Sequence, residues 1–353
     1  MASFQNLMSI NTSSNYPLYL AYRFAGPSSD LIVPALSVFI PGYFGVILNS
    51  FVVFTTFRAK NLRNGSANVL VALICLFEVG HQCGHIVFLV IVASGINFIG
   101  LFETELLLAP MLFCANAIMM AMFCASADRL FAVMFPFKHK STTTKHYRVY
   151  LFAHTVTCVL FGLYSLYFLL YNAILSSGKP TTGCICEILS DDSVRNQYFF
   201  FTTLLNLACI VCYLAIGAII KYKKGVTKDT NNRLMRSLVI ILLVNVGGYL
   251  INLSVYQLAF SFQQQLGSYV RVWQFTFISA SLLNICSAAN APILFVNSTD
   301  YRSAFKREFG LVKRLLRIGN TTTVPIISAT VVHVRQQQQF RSQRSQTIVP
   351  AAH

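Results

Sequence analysis

The sequence predicts an all-α membrane protein, a bundle of seven transmembrane helices followed by a short amphipathic eighth helix. Three observations lead to this prediction. Hydrophobic residues make up 55% of the 353 residues and charged residues only 11%, whereas a soluble domain has about 25% charged residues. Seven apolar runs each reach the roughly 20 residues that cross a bilayer. Lysine and arginine gather in alternate connections between those runs, as expected when positive charge stays on one side of a membrane.

The seven apolar runs set the domain boundaries. They cover 31–57, 67–94, 106–134, 149–173, 197–220, 237–260 and 270–297. Each run is too long and too uniformly apolar for a strand of a transmembrane barrel, so helices are expected. The chain then divides into an extracellular N-terminal segment 1–30, the bundle 31–298, an amphipathic cytoplasmic helix 299–318 and a tail 319–353 that its composition marks as disordered.

The distribution of basic residues predicts the orientation. Of the 27 lysines and arginines, 23 lie in connections on one side of the bundle or in the tail, and the other four are Arg23, Lys179, Arg195 and Arg271. We expect a multi-pass protein of the plasma membrane with its N-terminus outside and its C-terminus in the cytoplasm. Asn11 stands in a glycosylation sequon of the outer segment. The basic residues behind the net charge of +16 are thus explained by orientation in the bilayer, which is an expected partner. Nucleic acid is not an expected partner.

Charged residues inside the spans are the first candidates for function, because each costs at least a few kcal/mol in lipid. Glu78 lies within the second span, and Asp128 and Arg129 end the third. A snorkelling side chain would also explain Arg129, but it explains Glu78 poorly. His81 and His85 share a helix face with Glu78. A hydrated bundle interior accounts for these three better than a metal site, so no metal is expected.

Four short segments, in order along the chain, resemble signatures of rhodopsin-like G-protein-coupled receptors. They are Asn49 after Gly45 in the first span, the spacing of Asn68 and Glu78 in the second, Asp128-Arg129-Leu130 with Pro136 after the third, and Asn290-Ala291-Pro292 followed by Tyr301-Arg302 after the seventh. The combination is most similar to the srsx group of nematode serpentine chemoreceptors, over residues 31 to about 318.

This resemblance implies a chemosensory receptor that binds an extracellular ligand and activates a heterotrimeric G protein, with no enzymatic activity and no cofactor. Asp128 would hold Arg129 at rest, and the released guanidinium would bond the partner protein. Asn49, Glu78 and Asn290 would form an intramembrane polar cluster. Pro292 would free backbone groups of the seventh helix for rearrangement.

A ligand pocket is expected between the helices at their outer ends. The candidates chosen by depth are His85, Tyr256, Gln257, Trp273 and Gln274, with Glu103 and Glu105 at the rim. Two locations stay open for Trp273: the wall of the pocket, or the aromatic belt at the membrane interface.

The cysteines depart from the receptor pattern. No cysteine occurs at residues 84–113, where the family's third helix begins with one that bridges to the second outer loop. Three arrangements stay open for Cys184 and Cys186: free thiols, a strained bond to each other, or a bond to Cys83.

The sixth span also departs from the receptor pattern. It lacks the family's Trp-Pro switch, for which Tyr249 is a possible substitute, and its base carries Arg233 and Arg236 in place of the acid that locks the third-helix arginine. A weaker resting lock implies some basal activity.

Other partners and other functions follow from the remaining features. Phosphorylation of Ser342 and Ser345 would recruit an arrestin-like partner. The acidic outer rim permits a peptide-hormone receptor of the same fold. A ligand-gated channel or transporter is less favoured, because inverted repeats, paired broken helices and several buried charges are missing. The sequence names neither the ligand, the G-protein subtype nor the oligomeric state.

Overall fold

The computed structural model describes residues 16–176, 178–189, 192–222, 229–261 and 269–318, without the side chains of 229–238, 260 and 311–318. Seven helices within these ranges are long and apolar enough to cross a bilayer. They are Ser29–Arg58, Ser66–Ala93, Leu101–Met134, Tyr147–Leu175, Asp192–Tyr222, Val239–Ala259 within the longer helix Asp229–Ser261, and Tyr269–Asn297. We call them the first to seventh spanning helices. The prediction of a seven-transmembrane bundle is confirmed.

The third and fifth spanning helices begin more than a turn before the predicted apolar runs. Glu103 and Glu105 lie in the first of these additional segments and Arg195 in the second. Hydropathy reports the part of a helix that lies in hydrocarbon, whereas backbone hydrogen bonding continues the helix into polar surroundings.

The second spanning helix consists of two helices, Ser66–Cys83 and His85–Ala93, which meet at Gly84. A Cβ atom at Gly84 would lie 2.5 Å from the Cβ of Met111 on the third spanning helix. Glycine at this break therefore permits the two helices to approach closely.

The seventh spanning helix is also interrupted, between Tyr269–Ala288 and Asn290–Asn297. Pro292 has no N–H to offer the carbonyl of Ala288, which explains the break at Ala289. The carbonyl of Ala288 thus lacks its helical hydrogen bond, at the segment where the sequence led us to expect free backbone groups.

The loop between the fourth and fifth spanning helices is held over one end of the bundle. Strands β1 (Ile99–Gly100) and β2 (Pro180–Thr181) pair in antiparallel fashion, with Ile99 opposite Thr181. The N–H of Leu101 donates to the carbonyl of Lys179 at 2.9 Å. A helical turn, Ile185–Ile188, follows in the same loop.

The other short helices of the described chain are Pro17–Tyr22, Lys60–Arg63, Pro136–Lys145 and Thr299–Ile318. The last one contains the predicted eighth helix, whose amphipathic contact with the membrane stays a prediction. Residues up to Phe305 belong to one compact unit, and a second begins at Lys306. The sequon at Asn11 and the tail 319–353, with Ser342 and Ser345, lie outside the described residues.

The two ends of the bundle differ in charge. Arg58, Arg129 and Arg148 lie where the first and third spanning helices end and the fourth begins, and we call this the basic end. Glu103 and Glu187 lie at the opposite end, which we call the acidic end. Between the ends the interior contains large apolar clusters together with buried polar side chains, and large apolar side chains also cover the outside, as a bilayer requires.

Candidate functional site

At the basic end, the carboxylate of Asp128 is bonded by side chains from three elements. Arg129 donates from Nε to Oδ2 at 2.8 Å, and its terminal nitrogen contacts the same oxygen. His139 Nε2 lies 3.0 Å from Oδ1, and the Tyr150 hydroxyl donates to Oδ1 at 2.8 Å. Asp128 is only 1% exposed, so these charge-assisted bonds form away from water, where they are strongest.

Arg129 reaches a second partner on the second spanning helix. Its terminal nitrogen donates to Ser66 Oγ at 3.3 Å. The guanidinium is therefore held between Asp128, the partner that the resemblance implied, and Ser66, which was not expected. The side chains of Arg233 and Arg236, at the base of the sixth spanning helix, lie outside the described residues.

In the middle of the bundle, three asparagines connect the first, sixth and seventh spanning helices. Asn290 Nδ2 donates to Asn49 Oδ1 at 3.1 Å, and Asn245 Nδ2 donates to Asn290 Oδ1 at 2.8 Å. Asn49 also donates to the carbonyl of Ser287 at 3.2 Å. All three asparagines are fully buried. Asn49 and Asn290 meet as expected, whereas Asn245 was not among the predicted members of the cluster.

Glu78 is fully buried but bonds neither Asn49 nor Asn290 in the described structure. Its Oε2 lies 3.5 Å from His81 Nδ1, and its Oε1 has no hydrogen-bond partner among the described residues. The second spanning helix instead reaches Asn49 through Gln82, at 3.5 Å. The structure thus joins two of the three predicted polar residues and leaves Glu78 beside His81.

A cavity of about 650 Å³ lies between the helices on the acidic-end side of this cluster. Its polar lining consists of His81, His85, Tyr198, Tyr249, Asn252, Tyr256 and Asn284. His85 Nε2 lies 3.0 Å from Asn284 Nδ2. Apolar side chains, among them Phe199 and Leu253, complete the wall. We call this space the central cavity.

Two of the five ligand candidates, His85 and Tyr256, line the central cavity, and the other three lie elsewhere. Trp273 is 1% exposed and packs edge-on against Phe277, with ring centroids 4.7 Å apart. It therefore occupies neither the cavity wall nor the membrane interface. Gln257 is exposed, and Gln274 donates to the carbonyl of Asp30 at 3.2 Å. For Gln257, Trp273 and Gln274 the direction of the side chain differs from the one that the pocket prediction required.

The helical turn Ile185–Ile188 and its flanks cover the central cavity, and we call residues 180–189 the loop lid. Ile185, Cys186 and Leu189 contribute to the cavity wall. The hydroxyl of Tyr256 donates to the carbonyl of Cys186, which fastens the lid to the sixth spanning helix.

Glu187 fixes the lid internally. Its carboxylate accepts hydrogen bonds from the Thr182 N–H at 2.5 Å and from the Thr182 hydroxyl at 3.1 Å. Burial raises the pKa of Glu187 to about 7, against the lowering effect of these two bonds and of Lys179. At the predicted rim, Glu105 is 2% exposed, so its carboxylate is not available to a ligand outside the bundle.

Both lid cysteines are free thiols in the structure. Cys184 and Cys186 are buried, and Cys184 Sγ accepts a hydrogen bond from the N–H of Cys186 at 3.3 Å. Cys83 is an exposed free thiol. Of the three arrangements left open by the sequence, the structure has the free thiols.

Several residues of the site were missed because the sequence was searched for formal charges inside the spans. The missed residues are Ser66, Gln82, His139, Tyr150, Asn245 and Asn284. A neutral amide or hydroxyl in hydrocarbon also costs free energy unless it is bonded. The asparagines and glutamine inside apolar runs were therefore a usable signal.

The part of the chain that carries this site matches a known family. A family model described as "Serpentine type 7TM GPCR chemoreceptor Srsx" matches residues 42–309. This stretch includes the Asp128–Arg129 cluster, the three asparagines and the central cavity. No match was found among curated proteins.

Proposed function

Because this chain belongs to the Srsx family of serpentine seven-transmembrane chemoreceptors, we propose that it binds an extracellular chemical ligand and activates a heterotrimeric G protein. Membership makes the chain a multi-pass, chemosensory receptor of the G-protein-coupled type, and the family is not a class of enzymes. The proposal places the protein in the plasma membrane with the acidic end outside and the basic end in the cytoplasm, in keeping with the distribution of lysine and arginine.

The observation that carries this proposal is the closed cluster around Arg129 at the basic end. Its guanidinium is bonded to Asp128 and Ser66, which belong to different spanning helices. A relative shift of these helices removes one partner and leaves planar N–H donors available to a carbonyl-rich protein surface. Such a group is suited to a switch that is hidden at rest and bonds a partner when active.

Polar side chains occur at several positions of the bundle between the central cavity and this cluster. His85 and His81 line the cavity, and Glu78 lies beside His81. Nearer the basic end, the hydroxyl of Tyr301 bonds Thr56 at 2.9 Å and the carbonyl of Asn68 at 3.5 Å. A ligand that prefers one arrangement of these helices shifts the population of the receptor toward it.

The test compares signalling by the wild type, Arg129→Ala and Arg148→Ala in cells at matched surface expression. Arg148 is an exposed arginine at the same end, so its variant removes the same charge without opening the cluster. With a panel of odorants and a second-messenger readout, we expect responses from the wild type and Arg148→Ala. We expect Arg129→Ala to lose about tenfold or more, the equivalent of at least one strong hydrogen bond. A response that survives Arg129→Ala unchanged refutes coupling through this residue.

Membrane current measured in the same cells separates the receptor from a channel. A ligand-gated current that persists in Arg129→Ala would indicate the channel alternative. Glu78→Ala belongs in the same series, because it removes the buried carboxylate beside His81. Recruitment of an arrestin-like partner through Ser342 and Ser345 is part of the proposal and is measured with a double alanine variant.

A peptide ligand is the second candidate within the same fold. The loop lid covers the central cavity and Glu105 is buried, so the described structure favours a small molecule over a peptide. Cationic peptides included in the panel test this preference, and activation by a peptide with no small-molecule response would reverse it.

A further inference from the structure

We propose that ligands reach the central cavity sideways from the bilayer, through a crevice between the third, fourth and fifth spanning helices. The receptor would then be tuned to small apolar molecules that dissolve in lipid and carry one hydroxyl or carbonyl group. This inference rests on the proposed function, because it takes the central cavity as the ligand site.

The crevice is a space of about 390 Å³ with walls from all three helices. Asn116 and Met119 come from the third spanning helix, Phe161 and Tyr164 from the fourth, and Phe201 from the fifth. Tyr164 is 50% exposed at its edge. The fourth and fifth spanning helices are also the least buried of the seven described ones, at 22% and 17% of their apolar windows. The crevice therefore opens toward lipid.

Tyr198 lies at the boundary between the crevice and the central cavity. Tyr198 lines both spaces, the crevice of about 390 Å³ and the cavity of about 650 Å³. Its ring packs edge-on against Phe199, with centroids 6.2 Å apart. Rotation of a single side chain is a fast and local motion in proteins. It is enough to join the two spaces.

The route from water is covered. Ile185, Cys186 and Leu189 of the loop lid form part of the cavity wall. The lid is held by the bond from Tyr256 to the Cys186 carbonyl and by the pairing of β1 with β2. In this proposal a ligand from the aqueous side would have to pass the loop lid, whereas a ligand from the bilayer passes Tyr198.

The lining of the crevice selects the class of ligand. Its polar members are Asn116, Ser165, Gln197 and Thr202, next to Tyr198. None of the described residues that line it is charged, and the remainder are apolar. An ammonium or carboxylate would lose its hydration without gaining a counter-charge. An apolar chain with one hydroxyl or carbonyl buries its chain against the phenylalanines and bonds the amides and hydroxyls. The same polar group then meets His85 and Asn284 in the central cavity.

Photolabelling of the full-length receptor in lipid nanodiscs tests the route without requiring a signal. The probe is a diazirine-bearing long-chain alcohol, and labelled residues are located by mass spectrometry. We expect labelling of Phe161 and Phe201 to exceed that of Leu163, which faces lipid at 50% exposure, and to be displaced by unlabelled decanol. Labelling that is equal at these positions, or that decanol does not displace, indicates bulk lipid contact only and overturns the proposal.

A crevice-filling variant tests passage into the cavity. We expect Ser165→Trp to reduce labelling of Asn284 by about tenfold, because the indole occupies the space through which the probe has to pass. Leu163→Trp, on the same helix, should leave it unchanged, and Tyr198→Ala should raise it. Unchanged labelling of Asn284 in Ser165→Trp, with label on the loop lid, shows access from water and refutes the route.

The two proposals fail separately. If Ser165→Trp does not fold, as judged by surface expression, the wild-type distribution of label and the Tyr198→Ala variant still decide the route. A receptor labelled in the crevice that gives no Arg129-dependent signal contradicts the proposed G-protein coupling alone. A receptor that signals but is labelled only at the lid contradicts the lateral route alone.

Discussion

At the residue scale, amide side chains form hydrogen bonds that connect the first, sixth and seventh spanning helices in the middle of the bundle. Asn290 donates to Asn49 and accepts from Asn245, with all three fully buried. Because hydrocarbon offers no replacement partner, the free energy of these bonds depends on all three being present.

We expect Asn290→Ala to destabilise the receptor. It leaves Asn49 Oδ1 without its donor, and Asn245 Nδ2 keeps only the bond to the Ile241 carbonyl. A buried polar group left without a partner costs about 1–3 kcal/mol. The measurement is the thermal midpoint of the purified protein in detergent. Asn297→Ala is the matched control, because Asn297 bonds the Ile293 carbonyl within its own helix. Equal midpoints for the two variants would mean that the three-asparagine contact contributes no stability.

The raised pKa of Glu187 leads us to expect that the stability of the loop lid depends on pH. Its pKa in the folded protein is about 7, above its ordinary value of 4.5, because burial disfavours the carboxylate. The folded lid therefore binds the proton more tightly than the open lid. The stability that this proton contributes is fully present below about pH 4.5 and is lost as the pH rises through about 7.

We expect Cys184 and Cys186 to react faster with a water-soluble maleimide above pH 7 than below it, by more than thiol ionisation explains. A Cys83→Ser background removes the exposed thiol. Glu187→Gln keeps acceptors for Thr182 but cannot ionise, so its rates report thiol ionisation alone. The ratio of wild-type to Glu187→Gln rates should rise with pH, and a constant ratio would show that Glu187 does not control the lid.

At the element scale, the sequence predicted the helices well and their rotation poorly. Hydrocarbon requires about 20 apolar residues per span, so the length and number of the runs were visible. Each step along a helix turns the side chain by about 100°. Trp273 and Gln274 point away from the cavity that His85 and Tyr256 line.

Contacts that depend on loop geometry were not predictable from the apolar pattern. Strands β1 and β2 contain two residues each, which is too short for an alternation to be recognised. The bonds of His139 and Tyr150 to Asp128 require the helix Pro136–Lys145 to turn back against the fourth spanning helix. The sequence identified Asp128 itself because a charge inside a span is rare.

The third and fourth spanning helices approach closely at Gly162, so an added methyl group there is expected to lower the stability of the bundle. A Cβ atom at Gly162 would lie 2.8 Å from the ring of Phe113 and 3.0 Å from its backbone carbonyl oxygen. The ring can turn aside, but the carbonyl belongs to the helix backbone. We expect Gly162→Ala to destabilise the bundle by about 1–3 kcal/mol, as overpacking usually does, and to lower the thermal midpoint.

Gly217→Ala on the fifth spanning helix is the control for that substitution. Apart from its own helix backbone and its two chain neighbours, no atom of the described residues lies within 4 Å of a Cβ built at Gly217. Alanine is the better helix former by about 1 kcal/mol, so the thermal midpoint should stay constant or rise. A fall of similar size in both variants would show that the approach at Gly162 is not tight.

At the scale of the whole molecule, the charge distribution predicts how the protein is oriented in the membrane. The basic end carries Arg58, Arg129 and Arg148, and the acidic end carries Glu103 and Glu187. Both Arg129-dependent coupling and a ligand site under the loop lid require the basic end to face the cytoplasm. The orientation is therefore the common premise of the proposed function.

Glycosylation tests this premise, because sequons occur on both sides of the bundle and only one side meets the glycosylating enzyme. We expect Asn11→Gln to abolish the mobility shift that an endoglycosidase produces in the wild type, and Asn320→Gln to leave it unchanged. Asn320 stands in the sequence Asn320-Thr321-Thr322 of the basic C-terminal region. An epitope tag at the N-terminus, stained on intact cells, gives a second readout that does not depend on glycan addition. The opposite pattern, with the shift lost in Asn320→Gln and the tag hidden, would place Arg129 outside the cell, where no G protein can bond it.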